Sequence, residues 1–378
     1  MKIAFISTFF TGSTLPLMKY LSEKGHQTDL YLFCKQGGKG AETLKFDRAI
    51  SGSKMLQLSK ENQIYSYLDS SSDIYLAPYH FVKNRKYLIG FIPYFRNVLL
   101  IHKIVSLLKK KDYNSIYVIV HEEHDAILCK LLKSKGFQNV VVAYHEVVEN
   151  HVENPRLKKV VAETNHLDYP IITYSRHTQD VLQSLSEKKN VHVTYFGPFE
   201  AYRLFDTATP LIEEPYILYI GSILPYKGLP FLYKAICEYF KSPSFKVVVA
   251  GSGNDSVLND IRDDKRFVLI NKYVSDKDFA NLIRYAKCVI CPYVSGSQSG
   301  ITQSAMVYGT PVVATRVGAF PEFIEEGKNG YLVDYGDAKG MARAINKILD
   351  GQFLQGFVPE HLKWANIANQ VIKILCKI

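Results

Sequence analysis

"CVICPYVSGSQSGITQSAMVYGTPVVAT", residues 288–315, sets the fold of this chain. An apolar run stops at Pro292, and a Ser/Gly/Gln tract follows. A short helical pattern begins near Ile301, and Gly309 closes it before a second apolar run. Strand, loop, helix and strand in that order form a βαβ unit, the building block of a parallel sheet. The loop ahead of Ile301 lies at a helix N-terminus, where backbone N–H groups and the positive end of the dipole attract an anion. Gly296 and Gly300 allow close backbone approach, and Ser297 and Ser299 offer hydroxyls. From Phe279 through Pro321 there is not one Asp or Glu. Any chemistry housed here works without carboxylates.

The same alternation extends in both directions. Before the loop, "YILYIGS" (216–222), "FKVVVAG" (245–251) and "FVLINKYV" (267–274) read as strands; "CVICPY" and "PVVAT" (311–315) continue the series. Ser275 and Asp278 make a capping box ahead of "FANLIRYAK". In the first half, "KIAFIS" (2–7), "TDLYLF" (28–33), "SIYVIV" (115–120), "VVVAYH" (140–145), "IITYS" (171–175) and "VHVTYF" (191–196) read as strands. Helical stretches ending in Gly separate them. "GPFEAYRLFDTATPLIEEP" reads as a connector between the halves, and residues 40–70, poor in periodicity, as a mobile insertion. The expected architecture is α/β, with two doubly wound Rossmann-like domains facing a cleft where ligands meet the carboxyl ends of the strands. The expected divisions are 1–200, 201–358 and a closing segment 359–378.

Size and composition narrow the function classes. At 378 residues the chain exceeds one ordinary core. Six scattered cysteines, mostly inside apolar runs, point to reduced thiols; Cys288 and Cys291 read as a buried structural pair rather than a metal site, for no second pair or nearby His accompanies them. The first residues read as a strand and not a signal peptide, and no window approaches the roughly 20 apolar residues of a membrane span. The expected location is cytoplasmic, or peripheral on the inner face of a membrane. Net charge is +10, and Lys83–Lys111 carries eight Lys/Arg and no acid among apolar and aromatic residues. Such a segment suits either a packed helix with a solvated basic face or contact with an anionic membrane surface. No nucleic-acid motif accompanies it, so a nucleic-acid partner is not expected.

Neither a G-x-G-x-x-G after the first strand nor a P-loop is present, which removes the usual phosphate grip of nicotinamide enzymes and NTPases. Instead "YIGSILPYKGLPFLYKAI" (219–236) places Gly221 at a strand end and Lys227-Gly228 before a helix. A lysine there can meet a diphosphate as a point charge. "VGAFPEFIEEGKNGYLV" (317–333) adds a third such turn, with Glu322 beside Pro321.

In order and spacing, "YIGSILPYKGL", "VVVAGSGNDSVL", "VSDKDFANLIRYAKCVICPY", "SGITQSAMVYGTPVVATRVGAFPEFIEEGKNGYLV" and "LKWANIANQVIKIL" resemble the nucleotide-sugar-binding domain and final helix of family 4 glycosyltransferases, of the GT-B fold. "STFFTGSTLPLMKYLSEKGHQTDLYLF" and "VVVAYHEVVEN" resemble the family's N-terminal domain less closely. The resemblance covers roughly residues 1–35 and 115–378. It implies transfer of a sugar from a nucleotide-diphosphate donor with retention at the anomeric carbon, no metal and no cofactor. It gives Lys227 the diphosphate, His145 a place beside the donor sugar, and Gly12 the turn that lets the first loop approach the donor. The chain departs from the family in two places: Ser222 stands where the family has an arginine, and Gly296 and Ser304 stand where it has two glutamates. Loops of the form "PY…SQSGITQ" resemble a subset in which Ser, Gln and amides replace the acids. Gln298, Ser299, Gly300 and Ile301 (through its N–H) are therefore expected at the phosphates and sugar, and Gln303 and Ser304 at the ribose, with Gly221, Ser222 and Glu322 also expected to bind the donor.

The leading expectation is a glycosyltransferase of surface polysaccharide (capsule) or glycolipid assembly, with a nucleotide-sugar donor and a glycan or lipid-linked acceptor. A degenerate GT-B protein that binds without turnover is the alternative that the missing acids suggest. A same-fold nucleotide-sugar epimerase or hydrolase is a third; such enzymes generally use carboxylates.

Overall fold

The computed structural model of the protein describes residues 1–8, 10–35, 54–79, 88–147, 154–185 and 190–378. The chain forms two compact units. The first comprises Met1–Glu149, Glu153–Tyr195 and Trp364–Ile378; the second comprises Asn150–Val152 and Phe196–Lys363.

The strands of the first unit are β1 (Lys2–Thr8), β2 (Gln27–Lys35), β3 (Leu56–Gln57), β4 (Ile74–Tyr79), β5 (Ser115–Val120), β6 (Val140–Tyr144), β7 (Ile171–Thr173) and β8 (Val191–Val193). They lie in the order β3-β4-β2-β1-β5-β6-β7-β8. All pairings are parallel except that of β3 with β4. β3 falls within the stretch 40–70 expected to be an insertion, of which residues 40–53 lie outside the described residues. The last helix, Trp364–Leu375, returns to this unit and packs on the helix Thr11–Glu23.

The second unit has β9 (Tyr216–Ile220), β10 (Lys246–Ala250), β11 (Phe267–Ile270), β12 (Cys288–Cys291), β13 (Val312–Thr315) and β14 (Gly330–Val333). The order is β11-β10-β9-β12-β13-β14, all parallel. Side chains alternate between two apolar layers. Ile217, Tyr219, Val247, Val249, Cys288 and Ile290 face one core, and Tyr216, Leu218, Ile220, Val248, Val289 and Cys291 face the other. A strand covered on both faces reads as a continuous apolar run, which explains the visibility of these strands in the sequence. Cys288 and Cys291 are free, buried thiols on opposite faces, and burial raises both above the ordinary thiol range. The expected connector is no free linker. Its turn Glu200–Phe205 packs on the helices Asp276–Tyr285 and Gly300–Tyr308 of this unit.

The basic segment 83–111 is described from residue 88 as the helix Leu88–Lys111; residues 83–87 lie outside the described residues. Leu100, Ile101, Ile104, Val105 and Leu108 are buried against the first core. Lys111 turns inward to Asp29 (3.1 Å) and Asp73 (2.9 Å), so it is a structural charge. Arg96, His102, Lys103, Lys109 and Lys110 stay exposed, as do Phe95 and Leu99, at 53% and 54%.

Candidate active site

In the second unit β9 is flanked by β10 on one side and β12 on the other, so the winding direction reverses at β9/β12. Loops leaving the carboxyl ends of two such strands diverge to opposite faces and open a crevice, the usual ligand position in open α/β sheets. The loops after β9 and β12 meet there. Val294 N–H donates to the Tyr226 carbonyl (2.7 Å). Gly228 has φ +68°, and a β-carbon on it would fall 1.9 Å from the Pro292 oxygen. The approach thus demands glycine twice over, for conformation and for space.

Lys227, at the end of the turn Pro225–Lys227, folds back over its own loop. A β-carbon placed on Gly221 would lie 3.1 Å from Lys227 Nζ and 3.9 Å from Ile301 Cδ1. The ammonium also sits 5.2 Å from the Tyr293 ring centre and 5.9 Å from that of Tyr226. Burial lowers its pKa below the ordinary lysine value, opposed only by the nearby Cys291. Lys227 makes no ion pair among the described residues. Desolvating a cation without a counter-charge is costly, and an incoming anion would relieve that cost.

The helix Gly300–Tyr308 starts beside this lysine. Ser299 is its N-cap and accepts from Ile301 N–H (3.4 Å), while Tyr293 Oη lies 3.2 Å from Ser299 Oγ. The loop after β13 closes the third side. Ala319 N–H donates to the Ser297 carbonyl (3.0 Å). Gly318 has φ +53°, and a β-carbon on it would fall 1.9 Å from the Gly296 oxygen. The structure therefore assembles Gly221, Lys227, Gln298, Ser299, Gly300 and Ile301 around three interlocked loops. Ser222 is exposed on the first of them. Glu322 lies in the short helix Phe320–Phe323, and its carbonyl accepts from His361 Nε2 (2.8 Å).

Several expected roles meet different geometry. Gln303 and Ser304 are 1% and 2% exposed, and both are turned into the helix packing. Gln303 Oε1 accepts from Thr302 Oγ1 (2.8 Å), its carbonyl accepts from Phe199 N–H (3.2 Å), and Ser304 Oγ donates to the Gly300 carbonyl (2.8 Å). Neither side chain is presented for a ribose. Gly12 lies inside the first turn of the helix Thr11–Glu23, not in a turn before it, because Thr14 N–H and Thr14 Oγ1 already bond to the Phe10 carbonyl.

His145 and Gly12 belong to the first unit. His145 follows the last residue of β6, and its ring stacks on Phe10 at 4.1 Å and 20°. Burial, aided by neighbouring His121, lowers its pKa to about 3, so the imidazole is neutral at ordinary pH. Sequence reasoning did not single out His121, Glu122, Phe10 or Tyr293. "VIVHEE" at the end of β5 was the available signal for the first two.

Residues 214–351, most of the second unit, match the family model described as glycosyl transferases group 1. Phosphatidyl-myo-inositol mannosyltransferase of Mycolicibacterium smegmatis is 29% identical over 172 residues, which cover 42% of this chain and 44% of that protein. The match spans less than half the length of such curated relatives. Among solved structures, Anabaena HepE in complex with UDP-glucose aligns with 100% of this chain and 98% of its own at a TM-score of 0.61 and 16% identity. The α,α-trehalose-phosphate synthase of Burkholderia xenovorans, in complex with glucose-6-phosphate, does so with 100% and 99% at 0.65 and 12%. The chain has the fold of the GT-B glycosyltransferases, two Rossmann-like units, and 214–351 is the part similar to their group 1.

Proposed function

We propose that the protein is a retaining glycosyltransferase that moves a sugar from a nucleotide diphosphate to a glycan or lipid-linked acceptor, in surface-polysaccharide or glycolipid assembly. The observation that carries this reading is Lys227: a desolvated ammonium without an ion pair among the described residues, beside the N-terminus of the helix Gly300–Tyr308, which belongs to the carboxylate-free stretch Phe279–Pro321. Lys227 and the amides of Gly300 and its neighbours hold the diphosphate, and the ammonium offsets the charge that develops on the leaving phosphate. Gln298 and Ser299 complete the grip on phosphates and sugar. His145, neutral, offers a hydrogen bond to the sugar rather than a proton. Where the acceptor attacks on the face the leaving group vacates, no protein carboxylate need act as nucleophile. Positioning and diphosphate stabilisation suffice, and the acid-free loops suit that route. No step in this reading assigns work to a metal ion or cofactor.

The mannosyltransferase relative is named for a phosphatidylinositol acceptor and HepE binds UDP-glucose, which supports a nucleotide-sugar donor and a lipid-linked acceptor here. Among the described residues no helix is long and apolar enough to cross a membrane. The exposed basic face of the helix Leu88–Lys111 supports peripheral binding to an anionic membrane at its inner face. The test is to incubate the protein with UDP- and GDP-sugars, with and without lipid and glycan acceptors. Release of nucleoside diphosphate that depends on acceptor supports transfer. Binding without release across the whole set would establish the non-catalytic alternative, which the replacement of the family's acids by Gly296 and Ser304 favours.

A further inference from the structure

A second cavity opens at the far end of the helix Gly300–Tyr308, about 12 Å along its axis from the donor loop at 1.5 Å per residue. It encloses about 530 Å³, within the usual size of small-molecule sites, about 300–1,000 Å³. Its walls come from the turn Glu200–Phe205, the ends of the helices Asp276–Tyr285 and Gly300–Tyr308, and the segment 356–358, all in the second unit. Gly309, at φ +67°, closes one side: a β-carbon on it would lie 2.8 Å from Gly356 N, so two backbones meet there. Two guanidinium groups line the cavity. Arg284 Nη1 is paired with one oxygen of Asp206 (3.0 Å), whose other oxygen accepts from Tyr308 Oη (2.8 Å). Arg203 is held differently. Its Nη2 donates to the Val307 carbonyl (2.7 Å), its guanidinium carbon lies 5.9 Å from the Tyr308 ring centre, and no carboxylate pairs with it among the described residues. A guanidinium carries five N–H donors in a planar fork, so one anchored nitrogen leaves an oriented edge suited to a phosphate.

Glu200 lines the same cavity and narrows the ligand class. A bare phosphate would meet its carboxylate as well as Arg203. A ring with a phosphate at one end and hydroxyls at the other uses both groups: the phosphate accepts from the guanidinium, and a hydroxyl donates to the carboxylate. Phe199 ties the cavity to the donor loop. It stands between Pro198 and Glu200, both on the wall, and its N–H donates to the Gln303 carbonyl (3.2 Å). A β-carbon on Gly300 would fall 2.9 Å from Phe199 Cε2, so the ring presses on the first residue of the helix whose amides face the diphosphate. We propose that this cavity is an effector site for a sugar phosphate, with Arg203 on the phosphate and Glu200 on the ring hydroxyls, and that its occupancy changes the donor loop's affinity for nucleotide. The inference goes beyond the glycosyl-transfer reading and rests on it only for the nucleotide whose binding is read.

Isothermal calorimetry on the full chain tests it, with glucose 6-phosphate, glucose 1-phosphate, mannose 6-phosphate and fructose 6-phosphate as probes beside methyl glucoside and inorganic phosphate. At least one sugar phosphate should bind about tenfold or more tightly than either methyl glucoside or inorganic phosphate. Arg203→Gln should weaken it by a similar factor and Arg203→Lys, which keeps the charge, by less. In both variants the nucleotide affinity without sugar phosphate should stay close to that of the parent, which shows that the fold is kept. Lys227→Met should leave sugar-phosphate binding intact, which separates this cavity from the donor site. Saturating sugar phosphate should shift the affinity for UDP or GDP, and the nucleotide should shift that for sugar phosphate by the same factor. Absence of binding by every sugar phosphate, equal binding of inorganic phosphate, unchanged binding in Arg203→Gln, loss of binding in Lys227→Met, or a nucleotide affinity indifferent to sugar phosphate would overturn the proposal. Failure of the donor reading looks different: neither nucleotide binds, while the sugar phosphate still does and Arg203→Gln still weakens it.

Discussion

Replacing Lys227 by methionine isolates the charge on which the donor site depends. The substitution keeps an unbranched chain over the Tyr226 and Tyr293 rings and removes only the ammonium. A hydrogen bond to a charged group contributes about 1.5–3 kcal/mol. At about 1.4 kcal/mol per tenfold, UDP or GDP should therefore bind about 10- to 150-fold more weakly, while the corresponding nucleoside should bind as before. The unliganded protein should lose no stability and should gain in Tm, since the lost charge is desolvated and has no ion pair among the described residues. The pH dependence gives a second handle. Free Lys227 has a lowered pKa and the phosphates would raise it, so binding takes up a proton above the lowered value. Affinity falls as pH rises through that value, and Lys227→Met removes this part of the decline. In the unliganded protein the unfolded chain holds the proton more tightly, so this residue's contribution to stability improves with pH between the lowered and ordinary values. Isothermal calorimetry with nucleoside and nucleoside diphosphate, beside thermal melts, reads all of this. Diphosphate affinity within threefold of the parent, or equal losses for nucleoside and diphosphate, would refute the reasoning.

Gly318→Ala should cost about 1–2 kcal/mol for its left-handed backbone alone. It should also push back the Gly296 carbonyl that its β-carbon would meet at 1.9 Å, so denaturant midpoint and nucleotide affinity fall together; a variant that binds normally would show that these loops are not interlocked. His145 should make the parent lose stability as pH falls from about 6.5, its unfolded value, towards about 3, because the unfolded chain takes a proton the folded imidazole refuses. His145→Asn should flatten that part of the acid-denaturation profile, and an unchanged profile would contradict its burial as a neutral ring. Paired Phe95→Ser and Leu99→Ser, or Arg96→Glu and Lys103→Glu, should weaken sedimentation with phosphatidylglycerol vesicles. Salt should weaken parental binding too, since the screening length shrinks from about 10 Å at 0.1 M to 3 Å at 1 M; binding that all four changes leave intact would place membrane contact elsewhere.

Most strands were legible because parallel strands covered on both faces are continuous apolar runs, as in "YILYI" and "KVVVA". β3, β4 and β14 were not. Pro78 interrupts "IYLAPY", and "GYLV" is short and opens on Gly330. Pro292 and Tyr293 were read as strand, but the chain leaves the sheet after Cys291 to lay Pro292 against Gly228. Lys227 and the loop before Ile301 were legible from their place between strand and helix, a local property. Which face of that helix looks outward was not. Gln303 and Ser304 are buried because the segment around Phe199 covers the helix, a contact across about a hundred positions of sequence.

By itself, then, the order of residues settled the alternation of strands and helices, the two units, the acid-free loop and, separately, the lysine between strand and helix, because these depend on neighbours along the chain. Only the tertiary structure decided that three loops close around Lys227 without offering it a carboxylate. It alone brought Phe10, His121 and His145 together, because sheet order sets β1 beside β5 and β5 beside β6, and no spacing along the chain encodes that adjacency.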